Sequence, residues 1–466
     1  MGDTQTYDVI VIGGGPAGEV AAGRCSEGGL RTALVEKELV GGECSYWGCI
    51  PSKTLIRPGD VLAAARRVPG AAEAITGEID AAAAFARRDY MTNNWTDDGQ
   101  QRWLDDEHIA FYRGEGRLNG ERMVEVTASD GTAHSLEATK AVIVATGTGP
   151  LIPPIPGLGD VDPWDNRDIT SAKELPRRLL VLGGGAIGAE MAQCFKRLGC
   201  EEVIVVEGGP RLLAREEPFA GDEVCAAFAA EGIEVHAGVH ATAVRREGAD
   251  GPIVLSIDDG TEVVGDELLV CVGRRPATMN LGLDTVGLTP GKFIEVDDRF
   301  RAVGVPGEWL HAIGDCNGRA LLTHMGKYHA RLASDVILGK DIVDVADHDM
   351  VPRVTFTDPQ VCAVGLTEAQ AREKGLNVRS LKYATGDVPG AYTAGNGIKG
   401  TSFLVIDEDR GVVVGATFTG PAMQELLHSA TVAIVGEVPL TRLRHAVPSF
   451  PTVSEVWLHL LEEYGL

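Results

Sequence analysis

The sequence predicts an α/β chain with two doubly wound, parallel-sheet domains and a final α+β domain. Two observations predict this. One supersecondary pattern occurs in two copies: an apolar strand, a tight glycine turn, a small-residue helix, a second apolar strand and a closing acid. From about Pro352 the pattern shifts to strands such as Phe403-Leu404-Val405-Ile406 and Val412-Val413-Val414, with helical segments at Met423 to Val435 and Glu455 to Tyr464.

The first copy runs Val9-Ile10-Val11-Ile12, Gly13-Gly14-Gly15-Pro16-Ala17-Gly18, a helix around Ala21-Ala22, then Ala33-Leu34-Val35-Glu36. The second runs Leu179-Leu180-Val181-Leu182, Gly183-Gly184-Gly185-Ala186-Ile187-Gly188, a helix through Glu190 and Met191, then Val203 to Glu207. Between them lie an alanine-rich helical stretch after Pro51, an antiparallel section around Gly114 to Thr127, and a return strand at Val142-Ile143-Val144. The proline-rich run Pro150 to Pro156 reads as a linker. Later strands are expected at Leu268 to Gly273 and at Leu310 to Asp315.

At 466 residues the chain exceeds what one core serves. The expected division is 1–155 and 273–348 for a first, discontinuous domain, 156–272 for a second inserted into it, and 349–466 for the third. Apolar content of 44% and charged content of 23% are those of an ordinary globular protein, and no run reaches the length of a membrane span. The polar start from Met1 runs straight into a strand, which predicts no signal peptide and a cytoplasmic location. A net charge of −25 repels phosphate backbones and anionic lipid, so neither nucleic acid nor membrane is an expected partner. The histidines show no metal-ligand spacing and no metal site is expected.

In each copy the first glycine permits the turn, the second lets backbone approach a pyrophosphate, and the third lets helix pack on strand. Glu36 and Glu207 stand where ribose recognition requires an acid. Two Rossmann-like dinucleotide sites in one chain point to a flavin, FAD, recharged by a nicotinamide. A carboxylate at Glu207 accepts from a free 2′-hydroxyl and repels a 2′-phosphate, so NADH is preferred over NADPH; Arg211, close in sequence, works against that preference if it faces the site.

The segment Gly41-Gly42-Glu43-Cys44-Ser45-Tyr46-Trp47-Gly48-Cys49-Ile50-Pro51-Ser52-Lys53 carries the chemistry. Cysteines five apart in an ideal helix have Cα atoms about 8–9 Å apart. A disulfide tolerates about 7 Å. Bonding Cys44 to Cys49 therefore requires a distorted turn, which Gly48 and Pro51 favour. A helix N-terminus, and Lys53 if near, would favour the thiolates. The other seven cysteines, Cys25, Cys194, Cys200, Cys225, Cys271, Cys316 and Cys362, read as ordinary small residues.

These motifs, with Ala145-Thr146-Gly147, Gly273-Arg274-Arg275-Pro276 and Gly314-Asp315, resemble over nearly the full chain the flavoprotein pyridine nucleotide-disulfide oxidoreductases, the group containing dihydrolipoamide dehydrogenase, glutathione reductase and mercuric reductase. The resemblance implies a homodimer whose C-terminal domain forms the interface. It implies a flavin-facing thiol at Cys49 and an interchange thiol at Cys44, which attacks a small-molecule acceptor. It also implies cofactor contacts from Gly13, Gly15, Gly18, Glu36, Gly42, Gly116, Thr146, Gly147, Gly273, Gly314, Asp315 and Thr323 on the FAD side. Gly183, Gly185, Gly188 and Glu207 serve the nicotinamide side, and Lys53 pairs with Glu190 near the flavin. Ala186 stands where some relatives carry a gating tyrosine, so nicotinamide access is expected to be open.

The pattern breaks once. Disulfide-reducing relatives carry a histidine directly before a proline and a glutamate four residues after that proline, supplied by the partner subunit as an acid-base dyad. Here the segment is Ser449-Phe450-Pro451-Thr452-Val453-Ser454-Glu455. A phenyl ring at Phe450 transfers no proton, and loss of such a group costs about 10²–10⁴ in rate. Three readings follow: His445 substitutes as base; the acceptor needs no acid there, as with a quinone, a dye, a metal ion or an activated thiol; or the chain resembles the carboxylating relative 2-ketopropyl-coenzyme M oxidoreductase/carboxylase, which also has phenylalanine but replaces the glutamate. The principal expectation is reduction of a disulfide or related thiol compound. A non-catalytic assembly role is the contrasting alternative, and it predicts no bleaching of the flavin by NADH.

Overall fold

Val9 to Ile12 is apolar on both strand faces, a pattern stable only inside a covered parallel sheet. In the computed structural model, which describes residues 4–248 and 251–466, Gln5–Ile12 lies between Thr32–Glu36 and Ala133–Val144, parallel to both. Ala110–Arg113 extends the sheet beyond Thr32–Glu36, and Leu310–Ala312 pairs with the end of Ala133–Val144. The antiparallel strands Met123–Thr127 and Glu115–Leu118 complete seven. Val9, Ile10, Val11, Val142, Ile143 and Val144 are fully buried in its core.

The described residues group into two compact units. The first holds this sheet and comprises residues 4–51, 87–151 and 273–348. A short antiparallel ribbon, Thr148–Pro150 against Arg274–Pro276, belongs to it. The expected strand to Asp315 stops at Ala312, because Gly314 takes φ +68° and opens the short 3₁₀ turn Gly314–Asn317.

The second unit comprises residues 52–86, the described part of 152–272, and 349–466. Its parallel sheet runs Ile233–Ala237, Glu202–Glu207, Arg178–Leu182, Glu267–Val270. A three-stranded antiparallel sheet, Ala241–Arg246, Ile253–Ile257 and Glu262–Gly265, had no clear signal in the sequence. A five-stranded antiparallel sheet with the helices Met423–Val435 and Val456–Tyr464 makes the α+β part. Residues 52–86 pack here because Leu55, Ile56, Ala84 and Phe85 share an apolar cluster with Leu179, Val181 and Phe195. Among the described residues no helix is long and apolar enough to cross a membrane.

Both glycine turns are built alike. Gly13 and Gly183 take φ +106° and +113°, and a Cβ there would lie 2.4 Å from Ala145 O and 2.7 Å from Cys271 O. At Gly18 and Gly188 a Cβ would lie 1.8 and 1.9 Å from the carbonyl oxygens of Gly13 and Gly183, so helix and turn touch through backbone. At Gly15 and Gly185 nothing lies within 4 Å of that position. The third glycine is thus demanded by packing and the second is not, a distinction that substitution separates. Gly18→Ala is expected to lose about 1–3 kcal/mol of stability from overpacking. Gly15→Ala, with ordinary φ of −70°, is expected to unfold like the parent while holding FAD more weakly. Thermal unfolding of the stripped proteins and flavin content of the purified ones check both.

Candidate active site

The reactive segment starts from two positive-φ glycines. Gly41 and Gly42 take φ +114° and +57°, and a Cβ on Gly42 would lie 2.7 Å from the Gly15 Cα, so this chain passes directly against the first glycine turn. One short helix, Gly42–Tyr46, follows and ends at Trp47, whose φ −134° and ψ 7° leave the helical region. A second helix, Cys49–Arg66, begins two residues later. The distortion needed to bring the cysteines together is therefore a complete break between helices. Gly48 sits in the break, where a Cβ would lie 3.3 Å from the Cys44 Cα and 3.1 Å from Glu43 O. Any larger residue would press the two helix ends apart.

Cys44 and Cys49 are both half-buried. Thr323 opens the helix Thr323–Ile337, and its hydroxyl lies 3.3 Å from the Cys49 sulfur. Hydrogen bonding to Cys49, and then burial, push the Cys44 thiol above the usual thiol range, against a smaller opposing pull from Thr323. Two thiols this close resist double ionisation, so one thiolate shared with a neighbouring proton is the favoured reduced state. The N-terminus of Cys49–Arg66 places Cys49 where a helix favours negative charge.

The first glycine turn is shaped for a dinucleotide. Glu36 accepts from the Gly14 N–H at 2.7 Å and the Glu38 N–H at 2.7 Å, which ties the carboxylate to the turn while leaving lone pairs for a ribose. The Thr146 hydroxyl is buried without a hydrogen-bond partner among the described residues, as a group awaiting a ligand would be. Asp315 accepts from the Thr148 hydroxyl at 2.9 Å, and Arg274 Nε donates to that hydroxyl at 2.6 Å. Burial raises the Asp315 carboxyl, opposed by Thr148 and by the charge of Arg274. Open space at Gly15, a hydroxyl without a partner among the described residues and a half-buried carboxylate in one unit fit the polar parts of FAD. Arg274 lies within the quoted Gly273-Arg274-Arg275-Pro276 motif without a role assigned to it, and Thr148, next to Ala145-Thr146-Gly147, was not singled out by sequence. Gly116 has a packing explanation independent of any ligand, since a Cβ there would meet Val35 and Ile12 at 2.9 and 3.0 Å. Gly147 has φ +70° with open space at its Cβ position, and Gly273 has φ +154° and accepts from the Leu151 N–H at 3.0 Å.

In the second unit Glu207 receives the Gly184 and Gly209 N–H groups, repeating the arrangement at Glu36. Gly185 leaves the same open space as Gly15, so this turn fits a second dinucleotide. Arg211 is drawn away: its Nη2 donates to the carbonyls of Ala214 and Glu216 at 3.3 and 3.0 Å. Lys53 pairs with Glu190 at 2.7 Å and lies 4.9 Å from the centre of the Phe356 ring. The other Glu190 oxygen accepts from the Phe356 N–H at 2.9 Å, so a buried carboxylate is fully engaged in orienting one lysine.

The C-terminal segment is different in character. Phe450 is 75% exposed and Val447 84% exposed, a large apolar display for a single chain. Glu455 is buried, and one of its carboxylate oxygens has no hydrogen-bond partner among the described residues. His445 is exposed. Although no metal site was expected, Asp298, Asp344 and His348 come together, with ligand atoms within 4.8 Å. Arg319 stands among them as counter-ion, 3.1 Å from Asp298 and 3.5 Å from Asp344.

Comparison with known proteins agrees with this geometry. Residues 7–331 match the family described as pyridine nucleotide-disulphide oxidoreductase, and residues 351–461 match its dimerisation domain, which supports a homodimer. The chain is 33% identical to the dihydrolipoyl dehydrogenase of Thermus scotoductus over 97% of this chain and 96% of that protein. It is 32% identical to the mercuric reductase of Shigella flexneri over 97% of this chain and 80% of that one. Among solved structures, it is similar to the Cu(II) complex of the HOCl-induced flavoprotein disulfide reductase RclA from Escherichia coli, with a TM-score of 0.86 and 25% identity, covering 99% of this chain and 100% of that chain. Two dinucleotide turns, a cysteine pair on facing helix ends and a dimerisation domain thus converge: the chain belongs to the pyridine nucleotide-disulphide oxidoreductases, FAD-dependent enzymes that draw electrons from NAD(P)H.

Proposed function

We propose that the chain carries reducing equivalents from NADH to the Cys44–Cys49 pair and delivers them at Cys44 to a small disulfide or related thiol compound. The observation that carries this reading is the helix break that brings the two thiols together, with the Thr323 hydroxyl against Cys49. FAD supplies the acceptance of hydride from nicotinamide and the delivery of an electron pair to the disulfide. Overall, NADH, one proton and a disulfide yield NAD⁺ and two thiols. Residues 1–155 and 273–348 serve as the FAD domain, 156–272 as the NAD domain and 349–466 as the interface domain. Gly13, Gly15, Gly18, Glu36, Gly42, Thr146, Gly147, Gly314 and Asp315 serve FAD, while Gly183, Gly185, Gly188 and Glu207 serve NADH. Lys53, oriented by Glu190, supports the flavin with a fixed positive charge. Cys44 attacks the acceptor and Cys49 resolves the mixed disulfide.

The acceptor site is completed by the C-terminal segment of a second copy, bringing Phe450 and Glu455. With phenylalanine there, the leaving thiolate must depart without a proton from that side, which favours acceptors whose leaving group is already a stable anion. A thiophilic metal ion is the second reading: the mercuric reductases among the relatives name such a substrate, and a metal bound by two thiolates needs no general acid. Substituting histidine at Phe450 discriminates. On the disulfide reading, Phe450→His raises turnover of unactivated disulfides by about tenfold or more and leaves reduction of an activated aromatic disulfide nearly unchanged. Equal rates for parent and variant on every disulfide would exclude a missing acid as the limit. Steady-state assays over lipoamide, an activated disulfide, a quinone and mercuric ion make the comparison.

The NADH preference rests on Glu207 held toward the turn and Arg211 bound to backbone carbonyls. A carboxylate beside a 2′-phosphate is repulsive, so kcat/KM for NADH is expected to exceed that for NADPH by about tenfold or more. Glu207→Gln narrows the gap chiefly by improving NADPH. Equal use of both nucleotides by the parent enzyme would end the reading.

A further inference from the structure

One fully buried imidazole takes no part in the account so far. His329 lies in the helix Thr323–Ile337 with no exposed surface, and it stacks on Phe300 with ring centroids 4.5 Å apart. Its Nδ1 accepts the backbone N–H of Gly314 at 3.2 Å, and the Asn317 side-chain nitrogen lies 3.4 Å from the same atom. On the far side of the ring, Nε2 lies 3.2 Å from Asp347, whose two oxygens lie 3.2 and 3.3 Å from Arg319 Nη1.

An Nδ1 that accepts a hydrogen bond carries no proton, so the ring N–H is on Nε2, which lies 3.2 Å from Asp347 without the geometry of a hydrogen bond. The Phe300 stack and the Gly314 N–H hold the ring in one orientation, with the Asp347 carboxyl group 3.2 Å from Nε2. The donor so fixed belongs to a residue that needs fixing. Gly314 has φ +68°, a Cβ there would lie 3.3 Å from the Ala17 side chain, and the next residue is Asp315.

We propose that His329 is a positioning residue for the flavin site: the Arg319, Asp347, His329 chain anchors the Gly314 N–H, and through that turn it aims the Asp315 carboxylate. This rests on the reading of Asp315 as a flavin-binding residue. Long-range placement explains why it escapes sequence reading, since His329 lies fifteen positions beyond Gly314 and in no motif.

The test follows FAD released on serial dilution of the purified holoenzymes, by the recovery of free-flavin fluorescence. His329→Leu leaves the Gly314 N–H buried without an acceptor and is expected to weaken FAD retention by about tenfold or more. His329→Asn, whose side-chain oxygen stands near the place of Nδ1, recovers most of that loss. Asp347→Ala keeps the acceptor but frees its orientation, and shows a smaller loss in the same direction. Asp315→Asn serves as the reference for the underlying reading. If Asp315→Asn weakens retention while His329→Leu stays within twofold of the parent, the inference is overturned and the Asp315 reading stands. Equal losses in His329→Leu and His329→Asn would also overturn it, by assigning the residue to packing alone. If Asp315→Asn retains FAD like the parent, the Asp315 reading fails and takes the inference with it. Should His329→Leu not fold, Asp347→Ala decides, and parental retention there overturns the proposal.

Discussion

Two sulfurs five residues apart meet only if the helix that would separate them is interrupted, and everything chemical in this chain depends on that interruption. Trp47 leaves the helical region, Gly48 has no Cβ, which would lie 3.3 Å from the Cys44 Cα, and Cys49 starts a new helix. The break does two things. It brings Cys44 against Cys49, and it sets Cys49 at a helix N-terminus beside the Thr323 hydroxyl. Hydrogen bonding to Cys49 and burial hold the Cys44 thiol above the usual thiol range, so the pair resists double ionisation.

The two glycine turns show one solution used twice, to different ends. In each, backbone touches backbone at the first and third glycines, space opens at the second, and the closing glutamate is tethered by the turn's own N–H groups. What differs is the surroundings. The first turn has the cysteine segment pressed against it at Gly42 and shares its unit with the half-buried Asp315 and the Thr146 hydroxyl, which has no partner among the described residues. The second has Lys53 and Glu190 in its unit, the pair supported by the Phe356 backbone. Nearly identical local geometry thus recurs in two different surroundings.

Local patterns were legible in the sequence, and long-range partnerships were not. The continuous apolar runs at Val9 and Leu179 announced covered parallel strands, and the helix expected at Met423 to Val435 has those bounds. The glycine roles could be stated in advance because they follow from turn geometry alone. By contrast, the packing of residues 52–86 with the second unit depends on Leu55 and Phe85 finding Leu179 and Phe195, which no periodicity reveals. The Arg211 side chain was ambiguous in sequence because a loop arginine can face a site or its own backbone, and only the fold shows it bound to Ala214 and Glu216. The turn at Gly314 truncated an expected strand for the same reason: its conformation is supported by His329, a residue from a different element.

Phe450 gives the family chemistry its constraint. A relay that draws electrons from a nicotinamide and stores them on two sulfurs works without a proton donor until the acceptor must leave, so the front half of the reaction is expected intact whatever the acceptor is. The most direct measurement is an anaerobic titration of the holoenzyme with NADH, following flavin absorption while newly accessible thiols are alkylated and located by mass. The account predicts that the first equivalent unmasks Cys44 and Cys49 together, with a long-wavelength thiolate-to-flavin band and little loss of the oxidised flavin spectrum. Bleaching of the flavin by that first equivalent, with neither cysteine newly alkylated, would contradict it.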